Sequence, residues 1–289
     1  MLGVFAAITA AWSWTIACFI WRTHTKHFSA IQINILKNLI AALLFSPVIL
    51  SIDWTNQFLS VLILVISGLI GIAFGDCLYI EALKKLGTRR TLTVEAFSPI
   101  LANIFGAIMI GEILPLKVWL GGGIVTISLI LVATQNRHEE RILEVRKCSR
   151  SKGFFLALMS VICAVFAAIL SRLVLKETTF SPLQSTEIRL MGALMFLIPF
   201  SDLSLPRRTI ELPKKDQFSF LLATFLGTNC GIVLQQTAFK TLPIGLAWTL
   251  LSISPVISLI FAKFEGDPVD LKTVSYAAMS LLGVAIALL

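Results

Sequence analysis

The sequence predicts an all-α membrane protein: ten transmembrane helices arranged as two inverted five-helix repeats. Three observations carry that expectation. Hydrophobic residues make up 57% of the 289 and charged residues only 14%, with a mean hydropathy of +0.89; a soluble domain carries roughly a quarter charged residues. The apolar residues gather in runs of about 20, the length of helix that crosses a hydrocarbon core. Residues 71–112 return, degraded but recognisable, at 227–267. At one offset of 156 residues (71 to 227), Gly71 meets Gly227, Gly75 meets Gly231, and Ala82, Lys84 and Leu86 meet Ala238, Lys240 and Leu242. Ser98-Pro99 meets Ser254-Pro255 in the same register. Apolar matches arise by chance in an oily chain, but paired glycines, a paired Ser-Pro and a shared basic turn do not, so the chain reads as a duplication.

In order, apolar runs fall near 2–21, 30–51, 58–80, 91–110 and 118–134, then near 153–171, 182–200, 218–239, 245–262 and 272–289. Each is a continuous run, unlike the weak alternation of barrel strands. Residues 1–21 lack the basic start of a signal peptide and have a counterpart in the second half, so they are expected to stay as the first helix. The other helices repeat as well: Phe28-Ser29, Gln32 and Lys37 match Phe180-Ser181, Gln184 and Arg189, and Gly3 and Arg22 match Gly153 and Arg172. The expected units are residues 1–134 and 153–289, joined by a charged, solvated linker at 135–152. With an odd number of helices per unit, the second copy enters the membrane in the opposite sense. Such inverted repeats build many secondary transporters, with the substrate site near the midplane between the halves.

Other chemistry finds little support. Cys18, Cys77, Cys148, Cys163 and Cys230 form no metal or redox spacing and are expected as small buried hydrophobes. His24, His27 and His138 fall in polar segments. No Walker loop, HExxH, GxGxxG or nucleophile motif is present, and no cofactor or metal is expected. The net charge of +8 comes from short loops, as in proteins facing anionic lipid, and no nucleic-acid partner is expected.

The candidate site residues are those that are costly inside a membrane. Lys37 lies about eight residues into the second helix, roughly 12 Å deep, and Arg189 is its repeat partner in the seventh. Both approach the midplane, where they suit a central carboxylate or anion site; the alternative is snorkelling to an interface. Asp76, in the third helix with Tyr79 one turn on, is either a substrate or proton group or the ion partner of Lys37. Glu95 stands one turn into the fourth helix, where an interfacial, dipole-facing role competes. Glu81 and Glu187 are expected as interfacial or paired groups. Pro99 and Pro255 each free a helix carbonyl, that of Glu95 and that of Leu251. A freed carbonyl needs a cavity, water or a hydroxyl such as Ser98 or Ser254. Gly68, Gly71 and Gly75 form a small-residue stripe for close helix packing. Trp21 suits an interfacial belt and Trp14 a pocket wall; Gln235 and Gln236 offer uncharged hydrogen bonds. The expected substrate-lining set is Trp14, Lys37, Asp76, Tyr79, Glu95, Arg189 and Gln235, with Pro99 and Pro255 as kinks for gating.

An ALKKLG turn after the third helix, Ser-Pro in the fourth and Gly111-Glu112 at its end, in two five-helix repeats, resemble the EamA-type transporters of the drug/metabolite transporter superfamily. The resemblance covers essentially the whole chain. It implies a carrier of small metabolites, often an exporter of amino acids or related compounds, driven by an ion gradient or by exchange. The second half departs from the pattern, with Phe264-Glu265-Gly266-Asp267 where Gly-Glu is expected. The expected function is therefore secondary transport of a small polar or amphipathic metabolite by alternating access. Its partners would be that solute, the bilayer and a coupling ion or exchanged metabolite, most naturally in the plasma (inner) membrane. Two other classes compete: a membrane enzyme using Asp76 and Glu95 on a lipid, and a non-transporting sensor or assembly subunit. Loops on one side carry 18 of the 24 Lys and Arg. The positive-inside rule then places both termini outside the cytoplasm, whereas the resemblance implies the reverse.

Overall fold

The computed structural model describes residues 1–54, 56–135, 144–202, 204–262 and 270–289. Residues 136–143 of the 135–152 linker and all of Phe264–Asp267 lie outside them, while 144–152 begin the helix Glu144–Glu177. The described residues are helical and contain no strand. The principal helices are α1 (Leu2–His24), α2 (Ala30–Ser51), α3 (Phe58–Leu86), α4 (Thr88–Ile110), α5 (Leu116–Gln135), α6 (Glu144–Glu177), α7 (Pro182–Leu197), α8 (Lys214–Thr241), α9 (Ile244–Phe261) and α10 (Leu271–Leu288). Among the described residues, eight helices are long and apolar enough to cross a membrane. α5 contributes a shorter apolar stretch, Leu116–Val132, and α7 has 16 residues, among them Gln184, Glu187 and Arg189. Large apolar side chains such as Phe5, Leu43, Phe58, Ile108, Phe155 and Phe218 point outward, as lipid-facing positions do.

Local chemistry fixes the helix ends, and it does so in pairs. Ser29 and Gln32 form a capping box at the start of α2, and Ser181 and Gln184 form the same box at the start of α7. In each, the hydroxyl accepts the amide three residues on while the glutamine side chain reaches back. α3 loosens into π-helical turns at Leu69–Gly75, and α8 does so at Phe225–Cys230, again 156 residues apart. A π turn leaves backbone carbonyls without their usual donors, and Asn34 Nδ2 serves two of them, Ile72 at 2.8 Å and Ala73 at 3.2 Å. α4 tightens at Glu95–Phe97 before Ser98-Pro99, and α9 breaks at Ser252-Ile253 before Ser254-Pro255. Ser254 Oγ donates to the freed Leu251 carbonyl at 2.9 Å. Ser98 Oγ does not do likewise: it is buried without a partner.

The packing repeats the pairing. α1 lies on α8 as α6 lies on α3, while α2 meets α7, α4 meets α9 and α5 meets α10. The glycine stripe makes close contacts, as its spacing predicts. A Cβ on Gly68 would stand 2.0 Å from the Arg189 carbonyl oxygen, and one on Gly71 2.7 Å from Ala167 Cβ. The first obstacle is backbone, which no rotamer change can clear. Gly68→Ala is expected to push α3 off α7 and destabilise by about 1–3 kcal/mol or more. Gly123, with nothing within 4 Å of its would-be Cβ, is the control. Thermal unfolding of the two purified variants checks this; equal melting temperatures would refute the close approach.

Candidate functional site

A central cavity opens where the irregular turns of the helices meet. α1 contributes Ala10, Ala11 and Trp14; α3 contributes Gly71, Ile72, Asp76 and Tyr79; α4 contributes Glu95 and Ser98. α6 contributes Ser160, Val161 and Ala164, α7 Arg189, α8 Gly231, Ile232 and Gln235, and α9 Trp248, Leu251 and Ser254. Six of the seven expected site residues therefore line this cavity, and the seventh, Lys37, is paired with the lining residue Asp76. Many lining positions are repeat partners: Ala10 with Ser160, Ala11 with Val161, Trp14 with Ala164, Asp76 with Ile232, Tyr79 with Gln235, Glu95 with Leu251, Ser98 with Ser254. The two halves present the same backbone positions and different chemistry, for both acids come from the first half and the lining arginine from the second.

Lys37 does not snorkel. Its residue is 0% exposed, and its Nζ lies 2.6 Å from Asp76 Oδ2. It also donates to Asn38 Oδ1 at 3.1 Å and sits 5.4 Å from the Trp21 ring centroid. Asn38 is held in turn by Asn34, which clamps the π turn of α3. The depth that made Lys37 a candidate is thus explained by a buried pair, with the desolvation of each ion offset by the other and by the two further contacts of Lys37. Trp21 is not in an interfacial belt: it is fully buried, edge-on to Trp14 at 5.5 Å. Trp14 walls the cavity as expected, with its ring 5.4 Å from that of Tyr79.

Glu95 is not interfacial. α4 begins at Thr88, three residues before the apolar run, so Glu95 lies two turns inside and faces the cavity, where Trp14 Nε1 donates to its Oε1 at 3.2 Å. Thr91 and Thr93 carry the polar first turns by bonding back to Gly87 and Arg89 carbonyls. Arg189 is 4% exposed, and its Nε and Nη1 have no partner. Among the described lining residues, Asp76 is balanced by Lys37, whereas Glu95 and Arg189 make no ion pair with protein. Gln235 lines the cavity; Gln236 faces away and accepts from Ser185 Oγ at 3.0 Å.

Glu81 pairs with Lys85 at 2.9 Å, as a helix-surface pair does. Glu187 is neither interfacial nor paired: it is 1% exposed, with both oxygens unpartnered, and it does not line the cavity. Trp248 was not among the expected lining residues. Its repeat partner is Leu92, so the duplication gave no signal for it; only its place on α9 beside Leu251 could have.

The model of the EamA-like transporter family matches residues 1–134 and again 151–289. The chain belongs to the EamA-like transporter family. Two matches to one model fit the paired caps, π turns and Ser-Pro breaks seen in the helices. As a member of this family the chain is a multi-pass integral membrane protein of a transporter class. No curated protein matches it. A solved structure described only as a crystal structure of a protein is 15% identical, covers 99% of this chain and 96% of its own, and has a TM-score of 0.71. That likeness concerns the fold.

Proposed function

We propose that this EamA-family protein is a secondary transporter that moves a small polar or amphipathic, amino-acid-like metabolite by alternating access, as an exporter or exchanger. One observation carries the proposal: repeat-related positions of both halves converge on one cavity, and that cavity holds an unpaired carboxylate and an unpaired guanidinium. Asp76, Lys37, Glu95 and Arg189 sum to no net charge when all are ionised. A neutral cavity with separated charges suits a dipolar solute, its anionic group on Arg189 and its cationic group on Glu95, with Trp14, Tyr79 and Trp248 against its apolar body. Gln235 adds an uncharged hydrogen bond. The architecture we assign is ten membrane helices in two inverted five-helix repeats, 1–134 and 153–289, with 135–152 between them. The exchange-symmetric packing of α1 on α8 and α6 on α3 supports it. The broken turns at Pro99 and Pro255 are the natural places for α4 and α9 to flex. We place the protein in the plasma (inner) membrane, coupled to an ion gradient or to a counter-solute.

Purified protein in sealed liposomes tests the proposal. A panel of amino acids, nucleosides, sugar phosphates and organic cations is first ranked by thermal stabilisation. Counterflow of the best solute without chemical change is expected; stabilisation with no flux, or a chemically altered product, would overturn the reading. For orientation, the loop charge bias predicts a 135–152 linker in the cytoplasm. A single cysteine in that linker, in a chain without the five native cysteines, is expected to resist an impermeant thiol reagent in intact cells. Rapid labelling would reverse the assignment.

A further inference from the structure

We infer that Glu112 and Arg172 form a clasp that closes the cavity toward the face where α4 and α6 end. This rests on the transport reading above. Arg172 Nε donates to Glu112 Oε1 at 2.7 Å, with the two side chains 10% and 8% exposed. Arg172 Nη1 also donates to the carbonyls of Phe239 at 2.6 Å and Lys240 at 3.0 Å. Glu112 Oε2 accepts the Ile244 amide at 2.8 Å. One ion pair thus fastens four elements: the end of α4, the last turns of α6, the last turn of α8 and the first residue of α9. Each charge also meets the helix end that suits it, the cation at the carbonyls closing α8 and the carboxylate at the amide opening α9.

The clasp is joined to the cavity through two rings. Phe239, whose carbonyl Arg172 holds, packs on Trp248 at 5.9 Å between centroids, and Trp248 lines the cavity. Neighbouring side chains press on the glycine backbones here: a Cβ on Gly106 would stand 2.6 Å from Ile244 Cγ2, and one on Gly3 would meet Thr241 Oγ1. Gly111, at φ +64°, takes the left-handed turn that ends α4 and leads into Glu112. A path from the cavity to this face must part α4 from the α8–α9 turn, and parting them breaks the pair. Glu112 belongs to the first half; Arg172, Phe239 and Ile244 belong to the second. The clasp therefore fastens one half to the other where relative motion of the halves would open the cavity. A half-open state would leave a buried carboxylate or guanidinium unpaired, so the pair favours fully shut or fully open arrangements.

The test reads access, not flux. Ser254→Cys in a chain without native cysteines places a reporter on the cavity wall of protein reconstituted in liposomes. Glu112→Gln keeps the shape and removes the charge; Arg172→Lys keeps the charge and loses the fork that reaches the α8 carbonyls. Labelling by an impermeant thiol reagent from the α4/α6 face is expected to accelerate roughly 5-fold or more in Glu112→Gln, and by less in Arg172→Lys. Labelling from the opposite face is expected to slow. Parental rates in both variants would overturn the clasp; if Glu112→Gln does not fold, Arg172→Lys decides alone. Altered labelling without solute flux would sink the transport reading and leave the clasp standing, and normal flux with unaltered labelling would do the reverse.

Discussion

Asp76→Leu alone is expected to destabilise the protein by about 3–5 kcal/mol, the cost of stranding a buried ion. It leaves Lys37 Nζ, fully enclosed, with an asparagine oxygen and a Trp ring as its remaining partners. Lys37→Met is expected to cost less. Asp76, 15% exposed on its side chain, can turn toward cavity water or take up a proton. The double variant Lys37→Met/Asp76→Leu removes both charges and fills the space with apolar atoms, so most of the loss is expected to return. Thermal unfolding of the three purified variants gives the coupling directly. If the two single losses simply add in the double variant, the pair is not what holds α2 to α3. Recovered stability with lost transport would show that Asp76 also serves the solute.

The fold was legible because a bilayer leaves few choices. A run of about 20 apolar residues in lipid must satisfy its backbone internally, and helices do that. Spaced glycines then marked close contacts, and Gly68 against Arg189 is such a contact. α7 was harder to assign by apolarity, because Gln184, Glu187 and Arg189 occupy a 16-residue helix. Those polar residues are the ones that face its neighbours. The site was legible for a related reason: an ionisable side chain at depth is expensive and stays only with a partner or a cavity. That reasoning collected Asp76, Glu95 and Arg189, and set Lys37 beside them.

What escaped was lateral. Trp21 lies near a helix end, yet Lys37 and Trp14 enclose it, and nothing in the periodicity of α1 says which neighbour will stand there. Glu95 was placed too shallow because Thr88, Arg89 and Arg90, just before the apolar run at 91, read as loop. The Thr91 and Thr93 hydroxyls bond to the Gly87 and Arg89 carbonyls one turn back, which lets a polar turn remain helical at the membrane edge. Glu112 and Arg172 were each visible as motif or repeat, but their meeting depends on the ends of four helices coming together.

Arg189→Gln is expected to raise the KM of the transported solute by about 10- to 100-fold, because a hydrogen bond to a charged group contributes roughly 1.5–3 kcal/mol. Its effect on stability should have the opposite sign to that of Asp76→Leu. Arg189 is a buried cation whose Nε and Nη1 find no acceptor in the protein, so replacing it relieves a desolvation cost that no partner offsets. The melting temperature of the solute-free protein is therefore expected to hold or rise while affinity falls. Arg189→Lys keeps the charge but not the planar fork, and should recover only part of the affinity. A solute analogue with its carboxylate replaced by a carboxamide lacks the group that Arg189 addresses. It should bind the parent weakly and be nearly indifferent to Arg189→Gln. Initial-rate uptake into liposomes, with KM and maximal rate fitted separately, is the measurement. An unchanged KM, or an equal loss for acid and amide, would remove Arg189 from the solute and make it a structural cation like Lys37.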